Sequence, residues 1–145
     1  FSQFIDLSGQ FFMAELTRSL VAAGVFITDD SDFYRDYITP CDLMAMIRLC
    51  VERWSSCNEY PLNCAIDCYS LSPVGKFELI GAVTEHLGLQ HITKKSLVTK
   101  VTAGKKSQYY SKYQEAAKWG YVPHYSSTEG VLRELRARLD LSHQV

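Results

Sequence analysis

Apolar residues recur at helical spacing in several stretches of this 145-residue chain. Positions i, i+3 and i+4 form one face of a helix, so each such stretch predicts an amphipathic helix with one side in a core. Glycine directly follows three of the stretches, as it commonly follows a helix end. The predicted helices cover, in order, about Gly9–Ala23, Pro40–Trp54, Lys76–Leu87, Ser111–Trp119 and Thr128–Leu139.

Short apolar runs lie between these helices and predict strands. Val25–Thr28 is the first strand, Asp29–Ser31 a polar turn, and Phe33–Ile38 the second strand. Cys64–Tyr69 is predicted as a third, and Leu97–Val101 could hold another. The fold class is therefore predicted as α/β, in a mixed and helix-rich form. Residues 1–145 are predicted to form a single domain, because the length suits one core and no linker or repeat interrupts the chain.

Two helix starts carry capping boxes, in which a hydroxyl and an acidic side chain satisfy free backbone N–H groups. Thr39 and Asp42 form the first box, and Pro40 suits the first helical position because a missing N–H is harmless there. Ser126 and Glu129 form the second. The core face of the helix after Thr39 is predicted to comprise Leu43, Ile47, Cys50 and Trp54, widened by Met46 and Leu49.

Composition and charge narrow the function classes. The formal net charge is −1 and 47% of residues are hydrophobic, which makes nucleic acid an unlikely partner, since nucleic-acid binding usually shows as a basic excess. No apolar run is long enough to span a membrane and no signal peptide is recognisable, so we expect no membrane partner and a cytoplasmic protein. Five cysteines without C-x-x-C spacing and four histidines without ligand spacing predict reduced thiols and no metal site.

Arg35 is the strongest candidate for binding chemistry, since its predicted strand runs directly into the capped helix. A guanidinium at such a corner could bind an anion through two parallel hydrogen bonds. Alternatively, Arg35 could form a surface pair with Asp36 or Asp42. Tyr37 lies two residues further along and would share its strand face, so it could reach the same ligand or be a core tyrosine.

Four blocks of the sequence resemble blocks of the extended short-chain dehydrogenase/reductase family, the NAD-dependent sugar-nucleotide epimerases and dehydratases. They follow the family's order at about its spacing. Asp29-Asp30-Ser31 departs from the family's G-x-G turn, Asp67 from its asparagine and Tyr69 from its glycine. The blocks are Phe33–Leu43, similar to R-D-[YF]-[IV]-x-x-x-D-L; Asp67–Leu79, similar to Y-N-[IL]-G-S-G-x-P-V-S-x-x-E-L; Trp119–Pro123, similar to L-G-[WY]-x-P; and Ser126–Val131, similar to S-L-x-E-G-[IL].

The resemblance implies the C-terminal substrate-binding lobe of such an enzyme, without its Rossmann lobe. No glycine-rich turn suited to a dinucleotide is present, and no tyrosine has a lysine four residues later, the family's catalytic pair. NAD or NADP would accordingly bind the longer parent protein and not this chain, which would hold no catalytic residue. The chain begins at Phe1, and we expect it to be the C-terminal portion of that parent. Its partners would be a nucleotide-sugar and the missing lobe, or another protein chain, and the face left uncovered should be apolar.

The resemblance also implies the site residues. Arg35 would contact the pyrophosphate, and the strand Val25–Thr28 would lie beside the nucleobase, where Phe26 either stacks on the base or belongs to the core. A lysine would replace the family's second phosphate-binding arginine, and Tyr109 would lie near the sugar or ribose. The implied substrate-binding residues are Phe26, Thr28, Arg35, Tyr37, Lys100, Lys105 and Tyr109.

A different class of function stays open on the residues alone. The region after His91 is rich in lysine, which usually means a solvated face. The chain could therefore be a non-catalytic helical binding module whose basic face meets an acidic partner or nucleic acid. The lysines concerned are Lys94, Lys95, Lys100, Lys105, Lys106, Lys112 and Lys118.

Overall fold

The structure, a computed structural model, describes residues 2–56, 65–95 and 107–142. Within these ranges helices and short strands alternate along the chain. The α-helices are α1 (Phe12–Val21), α2 (Pro40–Ser56), α3 (Lys76–Leu87) and α4 (Ser127–Ser142), and a 3-10 helix covers Glu115–Trp119. The strands are β1 (Gln3–Phe4), β2 (Val25–Asp29), β3 (Tyr34–Arg35), β4 (Tyr37–Ile38), β5 (Val74–Gly75), β6 (Gln90–Lys94) and β7 (Gln108–Tyr109).

The strands pair into three small sheets. β1 and β4 form a parallel pair, and β2 and β6 form another in which Val25 lies opposite Gln90. In the third sheet β3 is central, antiparallel to β5 and parallel to β7. The described chain is thus a mixed, helix-rich α/β structure, as predicted.

The larger hydrophobic core lies where α1, α3 and α4 meet the sheets. Its side chains come from regularly spaced positions of each helix, as the periodicity predicts. A smaller cluster joins Met46 of α2 to Tyr69, Ala116 and Tyr121. The fully buried aliphatic side chains of the larger core include Leu16, Leu79, Ile80, Val83, Leu89, Val131 and Leu135.

Helix ends follow the local signals. The Thr39 hydroxyl accepts from the Asp42 backbone N–H at 3.0 Å and donates to the Asp42 carboxylate at 2.9 Å. The Ser126 backbone N–H donates to Glu129 Oε2 at 2.9 Å, and the Glu129 N–H donates back to the Ser126 hydroxyl at 3.3 Å. Gly88 ends α3 with a φ of 73°, in the left-handed region that favours glycine. The capping box of Ser126 and Glu129 is therefore confirmed. At Thr39 the hydroxyl cap is confirmed, but the Asp42 carboxylate accepts the Thr39 hydroxyl and not its backbone N–H.

The predicted strand Phe33–Ile38 is wrong as one element. It breaks at Asp36 into β3 and β4, which pair in different sheets. The cause is the Asp36 side chain, which turns inward and accepts hydrogen bonds from groups distant in the sequence. A side chain that binds this many partners favours a local bend over a continuous ladder.

Two other predicted elements also differ from the structure. Residues 65–70 form no strand, and the Ser70 N–H donates to Asp36 Oδ1 at 3.2 Å instead of to a neighbouring strand. The helix predicted over Ser111–Trp119 shortens to the 3-10 turn at Glu115–Trp119, which Gly120 ends with a φ of 94°. The strand considered at Leu97–Val101 lies outside the described residues.

The core face of α2 is rotated relative to the prediction. Met46 is buried and Leu49 and Cys50 pack beside it, but the side chains of Ile47 and Trp54 are 44% and 51% exposed. This helix carries apolar residues on most sides, so periodicity alone could not say which side packs on this chain. None of the described helices is long and apolar enough to cross a membrane.

Candidate functional site

Arg35 lies on the central strand of the three-stranded sheet. Its backbone is opposite Val74 of β5 on one side and Tyr109 of β7 on the other. This register brings Arg35 and Tyr109 into one site although they are 74 residues apart in the sequence. Arg35 and Tyr109, both predicted as substrate-binding residues, are therefore neighbours.

The Arg35 guanidinium lies against two aromatic rings. Its central carbon is 4.8 Å from the centre of the Phe33 ring and 5.7 Å from that of Tyr109. Nη1 also donates to the Tyr34 carbonyl oxygen at 2.7 Å and approaches that of Ser107 at 3.4 Å. Stacking on aromatic faces and bonds to backbone carbonyls hold a planar guanidinium in one orientation. The side chain is partly exposed, so a preorganised cation faces the surface here.

A second cation lies near the ring of Phe33. Lys76 is buried, its ammonium is 5.9 Å from the centre of the Phe33 ring, and it donates to Asp29 Oδ1 at 2.9 Å and to the Asp29 carbonyl at 2.7 Å. Hydrogen bonds from Ser31 and then from Lys76 lower the pKa of Asp29 to about 2. This ion pair ties the end of β2 to the start of α3, next to the strand that carries Arg35.

Tyr37 does not share a strand with Arg35, which corrects the prediction that both lie on one strand face. It belongs to β4 and is buried, with its backbone N–H bonded to the Ser127 hydroxyl at 2.8 Å. Burial raises the pKa of Tyr37 to about 12, and the nearby charge of Arg35 opposes that rise. The structure thus gives Tyr37 a place in the core, within electrostatic reach of Arg35.

The β2 residues occupy two different environments. Phe26 is 3% exposed and its ring meets Phe12 edge-on at 5.7 Å, so it is a core residue, the second of its two interpretations. Phe12 in turn meets Phe33 at 5.1 Å, so Phe26 supports the Arg35 site through two aromatic contacts. Thr28 lies further along β2, half-buried, opposite Thr93. Lys100 and Lys105 lie outside the described residues.

Sequence reasoning missed the role of Asp36. Its carboxylate accepts hydrogen bonds from the hydroxyls of Ser2, at 2.6 Å, and of Ser70 and Ser127, as well as from the Ser70 backbone N–H. Asp36, Ser70 and Ser127 come from three of the four blocks that carry the family resemblance. Their presence in those blocks was the sequence signal that could have pointed to them. In the folded chain their hydrogen bonds hold distant segments together.

Asp42 has a similar linking role that sequence reasoning also missed. It is fully buried, and besides capping α2 it accepts the His124 backbone N–H at 2.7 Å. His124 Nδ1 lies 2.9 Å from the same carboxylate oxygen. The Tyr121 hydroxyl likewise donates to the Tyr69 carbonyl oxygen at 2.8 Å. Hydrogen bonds therefore link the four blocks into one chain of contacts, with Trp119–Pro123 joined through Tyr121 to Tyr69 and the other three joined through Asp36.

The described residues place neither a metal site nor the main cavity at Arg35. No group of three or more His, Cys, Asp or Glu side chains able to hold a metal ion occurs in the described ranges. An open cavity of about 570 Å³ lies elsewhere, between α2 and residues 120–124. What the Arg35 site can do is bind an anion at an oriented guanidinium with aromatic rings beside it.

Comparison with known proteins shows which solved structures have a similar fold. The sequence matches no family model and no curated protein. The fold is similar to UDP-glucuronic acid 4-epimerase from Bacillus cereus, solved with UDP-glucuronic acid and NAD, with a TM-score of 0.67 and 16% identity over 94% of this chain and 40% of that one.

Two further solved structures agree. UDP-glucose 4-epimerase from Thermotoga maritima, solved with UDP-glucose, has a TM-score of 0.69 and 17% identity over 97% of this chain and 43% of that one. UDP-N-acetylglucosamine 4-epimerase from Bacillus cereus has a TM-score of 0.69 and 8% identity, covering 95% and 44%. The resemblance to the extended short-chain dehydrogenases/reductases is thereby confirmed at the level of the fold. This chain spans less than half the length of the proteins it matches.

Proposed function

We propose that this chain binds the nucleoside diphosphate of a sugar nucleotide, as the substrate-binding lobe of an NAD-dependent epimerase or dehydratase. The observation that carries the proposal is the guanidinium of Arg35, which lies against the rings of Phe33 and Tyr109. The similar structures include two solved with a UDP-sugar, which supports a nucleotide-sugar as the ligand class.

In this proposal Arg35 neutralises the diphosphate. A guanidinium suits phosphate oxygens because its planar fork can donate two parallel hydrogen bonds. The carbonyl contacts to Tyr34 and Ser107 leave little rotation to lose on binding, so more of the interaction free energy appears as affinity. Tyr109 adds a ring beside the diphosphate for the adjoining ribose or sugar.

The contribution of the lobe to a reaction would be positioning and charge neutralisation. Fixing the nucleotide places the sugar ring relative to groups elsewhere in the enzyme and can supply several kcal/mol of barrier lowering. No proton-transfer step is assigned to this chain, because no tyrosine has a lysine four residues later.

The chain's own residues do not fit NAD or NADP. A dinucleotide site needs clustered glycines between a strand and a helix, so that backbone N–H groups can approach the pyrophosphate. The glycines here are scattered, and Gly88 and Gly120 each end a helix. We therefore assign the cofactor to a part of the parent enzyme outside this chain. Cys41 and Cys68 carry reduced thiols, which suits a reducing compartment, and we propose the cytoplasm.

Calorimetric titration with UDP, UDP-glucose and dTDP-glucose tests the proposal. Binding should weaken by about 2 to 4 kcal/mol in the Arg35→Ala variant, because a charge-assisted contact is lost at a partly buried site. The affinity of the Arg35→Lys variant should lie between those of wild type and Arg35→Ala, because a lysine keeps the charge but lacks the planar fork of donors. NAD alone should not bind appreciably.

Arg136→Ala is the matched control, since Arg136 is an exposed arginine on α4. It should leave the affinity for UDP unchanged, and thermal unfolding should show that all three variants are folded. UDP affinity that is equal in Arg35→Ala and wild type would overturn the proposal. If polyanion affinity then falls instead on neutralising Lys105 and Lys106, the basic binding module is the better explanation.

A further inference from the structure

The turn that leads into β3 is acidic, although β3 carries the proposed anion site. Asp29, Asp30 and Asp32 lie close together in the sequence, and Arg35 follows three residues after Asp32. Carboxylates repel a phosphate group, and salt screens that repulsion only beyond about 8 to 10 Å. A diphosphate at Arg35 therefore requires the fold to compensate the charge of this turn.

Lys76 compensates the first carboxylate of the turn. Its ammonium lies 2.9 Å from Asp29 Oδ1 and 2.7 Å from the Asp29 carbonyl oxygen, and the lysine side chain is 2% exposed. Lysine is almost never buried to this extent unless it is paired. Charge-assisted hydrogen bonds of this length hold the ammonium and the carboxylate together. The pair as a whole is neutral, so it adds little net potential to its surroundings.

Backbone N–H groups compensate a second carboxylate, that of Asp32. Its Oδ1 accepts the N–H of Phe33 at 2.8 Å and that of Lys76 at 3.2 Å. Lys76 is the first residue of α3, so the Asp32 carboxylate lies at the positive end of that helix. The start of α3 therefore offsets two acidic side chains, one through the Lys76 ammonium and one through its backbone.

The ring of Phe33 links the compensated turn to Arg35. Arg35 Cζ is 4.8 Å from the centre of this ring, and Lys76 Nζ is 5.9 Å from the same point. The two cations are therefore no further apart than the sum of these distances, which is close to the Debye length of about 8 to 10 Å. The Lys76 N–H donates to the Phe33 carbonyl oxygen at 2.9 Å, which fixes the spacing. A change of charge at Asp29 or Lys76 should thus be felt at Arg35.

We infer that the Asp29–Lys76 pair sets the affinity of the Arg35 site for anions, because Lys76 cancels the Asp29 charge without touching the ligand. The inference rests on the proposed function and deepens it. It also gives a reason for the departure at Asp29-Asp30-Ser31 from the G-x-G turn of the family that the sequence resembles. The acidic turn is tolerated beside a diphosphate site because a lysine 47 residues further along the chain neutralises it.

A charge series on this pair tests the inference, by calorimetric titration of the complete natural protein with UDP. Lys76→Met leaves the Asp29 carboxylate uncompensated and should weaken UDP binding about three- to ten-fold. Asp29→Asn removes the negative charge, while the amide oxygen can still accept from the ammonium, and it should tighten UDP binding by a similar factor. The double variant is neutral again and should bind UDP within about two-fold of wild type.

Two further readouts separate an effect of charge from an effect of shape. The gain in Asp29→Asn should shrink as salt rises from about 0.05 to about 0.5 M, because salt screens charges and leaves packing unchanged. The gain should also be larger for UDP than for UMP, since UDP carries more negative charge. Glu115→Gln is the matched control, because it removes the carboxylate of the exposed Lys118–Glu115 pair, whose atoms are 2.7 Å apart. It changes the net charge equally and should leave UDP affinity unchanged.

The outcomes distinguish this inference from the proposed function. Unchanged UDP affinity in Arg35→Ala would overturn both. If Arg35→Ala weakens binding while Asp29→Asn and Lys76→Met bind UDP as wild type does, the proposed function stands and the inference is overturned. A double variant that binds as weakly as Lys76→Met would also overturn it, because the lysine would then act through the shape of the turn.

Asp29→Asn keeps the test decisive if circular dichroism shows that Lys76→Met does not fold. Tighter UDP binding by Asp29→Asn that salt abolishes would support the inference. Wild-type affinity in this folded variant, at low and high salt alike, would overturn it.

Discussion

Asp36 and Ser70 are 34 residues apart, and both the backbone N–H and the hydroxyl of Ser70 donate to the Asp36 carboxylate. Ser127, a further 57 residues along the chain, donates its hydroxyl to the same carboxylate at 3.3 Å. One buried side chain thus fixes the bend between β3 and β4, the segment before α3 and the start of α4. Because β3 carries Arg35, this network also sets where the proposed anion site lies.

Asp36→Ala should destabilise the fold by about 2 to 4 kcal/mol, because several buried donors lose their acceptor at once. Asp36→Asn should have a smaller effect, since one acceptor oxygen remains while the amide N–H₂ faces donors. Urea denaturation monitored by circular dichroism gives both values. Asp140→Ala, at an exposed position near the end of α4, should change stability little, and an equally small effect at Asp36 would contradict the role assigned to this network.

Two glycine-to-alanine substitutions should change the stability of the fold in opposite directions. A Cβ at Gly130 would lie 2.7 Å from Thr39 Cγ2, and the Thr39 side chain is held by its bonds to Asp42. Gly130→Ala should therefore destabilise by about 1 to 3 kcal/mol despite the better helix propensity of alanine. Gly81→Ala, in α3 with nothing within 4 Å of the added carbon, should stabilise by about 0.5 to 1 kcal/mol. Thermal unfolding of the two variants measures both changes in stability. If both variants were more stable than wild type, the close approach of α4 to Thr39 would be refuted.

The Asp29–Lys76 pair should make stability depend on pH in the acid range. The pKa of Asp29 is lowered to about 2 in the fold from a usual 3.8, so the folded state binds the proton less readily than the unfolded state. The stabilisation is therefore complete above about pH 5 and is lost as the pH falls towards 2. Because the carboxylate is 44% exposed, water screens the pair and we expect about 1 kcal/mol.

Asp29→Asn provides the measurement for this pair. The variant should be less stable than wild type at pH 6, and the difference should shrink as both proteins are titrated towards pH 2. Asp140→Asn serves as the control and should show no such convergence. A difference between Asp29→Asn and wild type that stays constant from pH 6 to pH 2 would show that the carboxylate charge does not carry the effect.

Tyr109 offers a test of the aromatic contact at Arg35. Tyr109→Ala should weaken UDP binding by about 0.5 to 2 kcal/mol, because the ring that orients the guanidinium is removed. Tyr109→Phe keeps the ring and should bind UDP as wild type does in the same calorimetric titration. If Tyr109→Phe binds as poorly as Tyr109→Ala, the hydroxyl and not the ring makes the contribution.

Features set by a few consecutive residues could be predicted from the sequence. The cap at Thr39, the capping box of Ser126 and Glu129, and the helix Lys76–Leu87 with its end at Gly88 depend on groups within four residues of one another. Their hydrogen bonds form within one helical turn, so the local pattern contains all the partners. Arg35 stood out for a related reason, since its strand leads directly into a capped helix.

Features that depend on distant partners could not be predicted. The bend at Asp36 needs Ser70 and Ser127, and the place of Tyr109 beside Arg35 needs the pairing of β3 with β7. The strands at Gln3–Phe4, Val74–Gly75 and Gln108–Tyr109 are two residues long and have no periodicity to detect. Each of them exists because a neighbouring strand supplies its hydrogen-bond partners.

The sequence by itself determined where most helices begin and end, because their caps and apolar faces are encoded within single turns. Only the tertiary structure decided that Ile47 and Trp54 face outward while Met46 packs inward. A helix that is apolar on two sides offers two equivalent faces to a periodicity argument. The choice between them depends on which neighbouring segments are present to bury each face, and those neighbours are remote in the sequence.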